Sequence, residues 1–190
     1  MRKKNSNNNI YKKNSFLLDS IGNKIFPDHL SIIEDPTISE GLGTRPFDSE
    51  GIKTYEKSLV SDGILETYML DTYSAKQLNL KSTANSGYSN INIQSSKKID
   101  TDIISSLDDG ILITEMMGSG ANILTGDYSR GAFGYLIKNG KISNPVTNFT
   151  IASNMSEMFK NIEAIGSDVY ENSKIKCGSL LISEMTIGGN

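Results

Sequence analysis

Residues 111–146 read ILITEMMGSGANILTGDYSRGAFGYLIKNGKISNPV, and the turn at Asn139-Gly140 within them sets the fold class. An Asn-Gly pair accepts the positive φ angles of a two-residue hairpin turn, so Phe133–Lys138 and Lys141–Val146 are predicted as its arms. In the first arm Phe133, Tyr135 and Ile137 share one face, while Gly134 and Leu136 share the other. Apolar groups on both faces predict a strand inside a barrel or sandwich. Ile111–Met117 reads as a further strand. Between the two lies a glycine-bracketed stretch, Gly118-Ser119-Gly120 to Gly126-Asp127-Tyr128-Ser129-Arg130-Gly131, where glycines let the backbone turn sharply or approach another chain closely. The Arg130 guanidinium suits a two-point carboxylate contact. Two readings stay open here. Either Arg130 pairs internally with Asp127, or Asp127, Tyr128, Ser129 and Arg130 contact a peptide or a second subunit.

Working outward, Thr54–Val60 and Ile64–Leu70 form a second hairpin across Ser61-Asp62-Gly63, and Ser179–Ser183 a further strand. Met155, Met158, Phe159, Ile162 and Ile165 recur at helical spacing, which predicts a helix about three turns long, capped by Asn154 and ended by Gly166. Shorter helices are expected from Asp100 or Thr101 to Leu107, stopping at Asp108-Asp109-Gly110, and at Tyr73–Leu78. The sum is an α+β chain, mainly antiparallel β, barrel- or sandwich-like, with a few short packed helices. Residues 1–10, opening MRKKNSNNN, are low in complexity and predicted disordered; residues 11–190 read as one unit.

A chain of 190 residues has room for a core, yet only 37% of it is apolar and it has no tryptophan, so part of its surface is expected to lie under a partner. The net charge of -3 excludes nucleic acid or an anionic membrane as the main partner. No run approaches the roughly 20 apolar residues of a membrane span, and no apolar segment of a signal peptide follows the basic start. Cys177 is the one cysteine, which points to a reducing, cytoplasmic setting.

Several chemistries lack their residues. His29 is the one histidine, and with Cys177 it falls short of the four ligands of a structural zinc or the three of a catalytic one. His29 therefore reads as a turn-packing or solvent-facing side chain, not as part of a nucleophilic triad. No phosphate-cradling GxxxxGK[ST] or GxGxxG loop is present. Asp100-x-Asp102 lacks the continuing ligand series of a calcium loop and reads as helix capping.

The stretch from Ile111 to Val146, with TEMMG ahead of GDYSRGA, closely resembles the TldD/PmbA peptidase family, in its PmbA (TldE) branch. The likeness continues through FTIASNMSEMFKNIEAIGSDV and KIKCGSLLISEMTIGG, and upstream through YKKNSFLLDSIGNKIFPD, RPFDSEGIKT and DGILETYMLDTYSAKQLNLKST, so it covers nearly everything from Tyr11 onward. It implies that residues 11–190 are the β-rich carboxy-terminal domain of a protein about twice as long, whose amino-terminal domain is not in this sequence. It further implies a cytoplasmic metalloprotease system in which the TldD-type subunit carries zinc on a HExxxH helix joined by a cysteine. The PmbA-type subunit lacks those histidines and helps to shape a site for unfolded, extended or leader peptides. Cys177 matches the position of the TldD cysteine ligand; its histidine partners have no match here, so a small buried apolar role is expected. No catalytic residue and no metal are then expected in this chain, with zinc held by the TldD-type partner. The alternatives are a stand-alone peptide- or protein-binding module and an eroded remnant. Against erosion stand intact turn and cap residues and the absence of charge from Ile111–Ile113 and Phe133–Ile137.

Overall fold

The computed structural model describes residues 8–95, 98–99 and 103–189. The elements run α1 (Asn8–Tyr11), β1 (Leu30–Glu34), β2 (Lys57–Ser61), β3 (Ile64–Leu65), α2 (Thr72–Gln77), β4 (Ile91–Ser95) and β5 (Lys98–Ile99). A 3-10 turn at Ile103–Ser106 leads to β6 (Asp109–Met117), β7 (Asp127–Lys138), β8 (Lys141–Asn154) and α3 (Met155–Lys160). The chain closes with β9 (Ile162–Gly166), β10 (Ile175–Lys176), β11 (Leu180–Ile182) and β12 (Thr186–Gly188).

Three sheets result, ordered β10-β4-β1-β2-β3, β11-β9-β5 and β12-β8-β7-β6. The pairings are antiparallel except β10 with β4 and β5 with β9. The first two sheets close on a shared core of Leu30, Val60, Leu65, Leu70, Ile162 and Ile165. Burying such side chains contributes about 1.5–3 kcal/mol each, the main drive for this layering. The third sheet has its own small core, Ala132, Phe149 and Ile151, with Ile111, Ile113 and Met185 packed against it. This is the expected α+β, sandwich-like, mainly antiparallel architecture.

Both predicted turns form. Asp62 and Gly63 have φ of 47° and 81°, and Asn139 and Gly140 have 49° and 71°, the paired left-handed residues that match the twist of hairpin arms. The second hairpin is longer than its expected arms, running from Asp127 to Asn154. The first is shorter. Its return arm keeps Ile64–Leu65, because Tyr68 and Leu70 then turn into the core, where Thr83 takes up the Leu70 backbone.

Two expectations change. The helix predicted through Gly166 stops at Lys160; Asn154 does cap it, accepting from the Ser156 N–H at 3.0 Å, but Ile162–Gly166 is a strand between β11 and β5. The shared face of Phe133, Tyr135 and Ile137 is broken by register shifts at Ala132/Gly134 and Tyr135/Ile137, so Ala132 and Ile137 are buried while Tyr135 is exposed. The stop expected at Asp108-Asp109-Gly110 holds, with Asp109 opening β6 and the preceding turn closed by the Gly140 N–H on the Leu107 carbonyl at 2.7 Å. The helix expected from Asp100 survives as the single turn Ile103–Ser106, and residues 100–102 lie outside the described residues, as do residues 1–7 of the expected disordered start. The helix expected at Tyr73–Leu78 is α2, with Asp71 as its cap.

Candidate functional site

The glycine-bracketed stretch folds as a tight excursion between β6 and β7. Ala121 bridges Tyr128, and the Ser129 N–H donates to the Gly120 carbonyl at 2.9 Å. Gly120 lies against the Ser129 backbone so closely that a Cβ there would collide with it. At its far end the Asn122 carboxamide accepts from the Leu124 N–H, the Gly126 carbonyl accepts from the Met155 N–H at 2.6 Å, and the Phe16 N–H bonds the Ile123 carbonyl at 2.9 Å. The excursion is thus stitched to the start of α3 and to the amino-terminal segment.

Of the four residues expected at a contact, the pleat of β7 separates two pairs. Tyr128 and Arg130 lie half-buried on the side of the small core, whereas Asp127 and Ser129 are exposed on the other. The internal Arg130–Asp127 pair does not form. Arg130 donates instead to the carbonyls of Met116, Met117 and Gly118, and the Tyr128 hydroxyl meets the Met116 sulfur at 3.2 Å. Asp127 accepts from the Thr125 hydroxyl at 2.6 Å and from the Asn154 amide at 3.4 Å, completing the cap of α3. A guanidinium offers five donors in a fixed fork, so three carbonyls at the end of one strand satisfy it without a carboxylate.

What Arg130 braces is the end of β6, the outer strand of its sheet. Only β7 pairs with β6 among the described residues, which leaves its other edge of N–H and C=O groups open. Met116 and Met117 stand exposed at that end. Beside the start of β6, Ile111 and Ile113 line a groove of about 1000 Å³ together with Ile137, Ile151, Leu180 and Ile182. Edge and groove together offer main-chain hydrogen bonds and apolar pockets to an extended chain.

Neither His29 nor Cys177 is set up for a metal. Both imidazole nitrogens are engaged, Nδ1 with the Ser95 hydroxyl at 2.9 Å and Nε2 with the Ile162 carbonyl at 3.1 Å. Because a carbonyl only accepts, Nε2 carries the proton and Nδ1 accepts from Ser95. His29 therefore ties the first sheet to the second, a packing role within the expected range. Cys177 packs against the main core and its thiol donates to the Gly178 carbonyl at 3.2 Å. Burial, and next the charge of Asp168, push that thiol up from its ordinary value, opposite to the thiolate that binds zinc. Asp168 itself is held low by the Ser179 hydroxyl and amide. Among the described residues no three His, Cys, Asp or Glu side chains gather in a metal-holding group. His29 and Cys177, so placed, do not fit zinc.

A polar centre that sequence reasoning missed lies between β1 and β2 of the first sheet. Glu34, 1% exposed, accepts from the Lys57 ammonium at 2.9 Å and the Asn85 amide at 2.6 Å on one oxygen. Its other oxygen accepts from the Ser89 N–H at 2.7 Å and the Ser89 hydroxyl at 2.9 Å. Burial alone would raise this carboxyl, but the Asn85, Lys57 and Ser89 bonds outweigh it and hold it below the usual range. The signal was a charge in each of two apolar strands, LSIIE and KSLVS, which sit directly opposite each other.

Residues 4–189 match the family model described as the PmbA/TldA metallopeptidase C-terminal domain. Metalloprotease PmbA of Escherichia coli O157:H7 is 44% identical over 181 residues, covering 95% of this chain and 40% of that protein. The metalloprotease PmbA homolog of Buchnera aphidicola subsp. Acyrthosiphon pisum is 44% identical over 186 residues, covering 97% of this chain and 42% of that protein. The crystal structure of a protein described as a modulator of DNA gyrase from Bacteroides thetaiotaomicron superposes with a TM-score of 0.90 at 34% identity, covering 96% of this chain and 41% of that one. The chain thus spans about two fifths of the length of the curated relatives it matches.

Proposed function

The chain belongs to the PmbA/TldD metallopeptidase family, as its carboxy-terminal domain, and from that premise we propose that it is a noncatalytic PmbA-type element that presents extended peptides to a zinc-bearing TldD-type subunit in the cytoplasm. The observation that carries this is the open edge of β6, held in register by Arg130 through three consecutive carbonyls. An extended peptide adds to such an edge as one more strand. Main-chain hydrogen bonds then supply affinity with little sequence preference, and the Ile111–Ile113 groove takes apolar side chains. The exposed Met116 and Met117 suit that task, since thioethers adapt to varied partners. Tyr128 and Arg130 act here as positioning residues. Asp127 and Ser129 face away from them, on the surface open to a second subunit.

Donor chemistry supports assigning the metal to the partner. His29 spends both ring nitrogens on structural bonds, and the Cys177 thiol is kept protonated by burial.

The test is co-expression with a TldD-type subunit, followed by cleavage of an unfolded peptide with and without this chain. Cleavage that depends on both chains, with sensitivity to chelators traced to the partner, is the expected result. Equal activity in the absence of this chain refutes the proposal.

A further inference from the structure

The connection between β1 and β2, residues 35–56, holds no helix and no pairing beyond the Phe47–Lys53 bridge. Loops of such length inside compact domains are usually functional or disordered. This one is tied down along its length. The Gly43 N–H donates to the Asn90 side chain at 2.7 Å, Arg45 to the Gly87 carbonyl, and the Ser86 N–H to Asp48 at 3.1 Å. Glu50 accepts from the Thr72 N–H and hydroxyl at 2.8 and 2.6 Å, which fixes the start of α2 beside it.

Large side chains face solvent on this connection and on the segments that hold it. Leu42 and Phe47 are 62% and 60% exposed, and Tyr55, Tyr73 and Tyr88 are 47%, 57% and 49% exposed. Aromatic side chains on a rigid support are the composition that dominates protein interfaces, because little conformational freedom is lost when they are covered. The polypeptide enters the fold at the same place. Helix α1 contacts α2, and the Tyr11 ring meets Tyr73 edge-on at 5.4 Å. In the matched relatives about three fifths of the protein lies outside the carboxy-terminal domain, so it precedes the segment that enters here.

We propose that this aromatic platform, centred on Phe47, Tyr55, Tyr73 and Tyr88, is the seat of the amino-terminal domain that longer members of the family carry. Tethering beside Tyr73 gives that domain an effective concentration on the order of millimolar, so a modest interface suffices to hold it. The inference rests on family membership and is independent of the peptide groove.

The experiment fuses the amino-terminal part of the Escherichia coli O157:H7 relative ahead of this whole chain and compares hydroxyl-radical labelling of the fusion and the 190-residue chain. Labelling of Phe47, Tyr55, Tyr73 and Tyr88 is expected to fall about fivefold or more in the fusion, with Ile142 and Tyr170 unchanged. Phe47→Asp with Tyr73→Asp, both at exposed sites, is expected to restore labelling of Tyr55 and Tyr88 and to enlarge the radius of gyration in X-ray scattering. Unchanged labelling in the fusion overturns the proposal. So does a 190-residue chain that protects the same rings while dimerising in sedimentation, since the occupant is then a second copy.

Discussion

Replacing Glu34 by Gln changes the size of one fully buried side chain hardly at all and removes its charge. The single oxygen of the new amide still accepts from Ser89. Its NH2 group, however, faces the Lys57 ammonium and the Asn85 amide, two donors that lose their acceptor. Lys57 is itself buried, with 6% of its side chain exposed, so its charge is left without a counter-ion. Breaking a buried pair from one side costs about 3–5 kcal/mol. For a chain of this size each kcal/mol is worth about 2–4 °C, so Tm is expected to fall by roughly 6–20 °C. Thermal and urea unfolding followed by circular dichroism measure this directly. Glu34→Gln with Lys57→Met, which removes both charges and leaves an amide oxygen for Ser89, is expected to recover most of the loss. A Glu34→Gln variant within about 1 kcal/mol of the parent, or a double variant as unstable as the single, refutes the reasoning. The pH dependence gives a second reading. A carboxyl held low when folded adds stability that is complete above its unfolded value and is lost as pH falls through the folded one. The gap between parent and Glu34→Gln is therefore expected to narrow below pH of about 4.3.

Two further outcomes concern the candidate site. Arg130→Gln frees the carbonyls of Met116, Met117 and Gly118 and is expected to speed amide exchange at the end of β6 and to lower cleavage by the two-chain system, with a stability loss of about 1–2 kcal/mol; unchanged exchange removes Arg130 from the argument. The Cys177 thiol, buried and shifted upward, is expected to react with a disulfide reagent at pH 8 far more slowly than free cysteine until the chain is unfolded, and equal rates would place it at the surface.

The hairpins were legible because their turns are local chemistry, Asp62-Gly63 and Asn139-Gly140 each needing only two residues to be recognised. The importance of the stretch around Arg130 was legible too, from its glycines and its lone guanidinium. Its partner was not. Asp127 is three residues away in sequence, but the pleat turns it to the opposite face, and the acceptors come from a strand that ends at Met117. The Glu34 network was hidden for a related reason. Pairing Glu34 with Lys57 depends on a register set across the whole 35–56 connection, and no local pattern encodes it.

The segment Met155–Gly166 shows where periodicity misleads. Ile162 and Ile165 fit the helical stripe of Met155, Met158 and Phe159, and they are also two β-branched residues able to line a strand. Tertiary context decides between the two. Pairing with Leu180–Ile182 on one side and β5 on the other buries both isoleucines in the main core, which six residues of further helix cannot match. Ala164 separates the two descriptions. On a helix continuing from α3 it would lie roughly 160° from the centre of the stripe, in solvent, where a charge costs within about 0.5 kcal/mol. In β9 it is 5% exposed and opposite Leu181, where a carboxylate without a counter-ion costs several kcal/mol. Ala164→Glu is therefore expected to shift the urea midpoint strongly downward, while Glu163→Ala next to it, at an exposed strand position, leaves the midpoint nearly unchanged. A tolerated Ala164→Glu would return the segment to a helix, and with it detach β11 from the core.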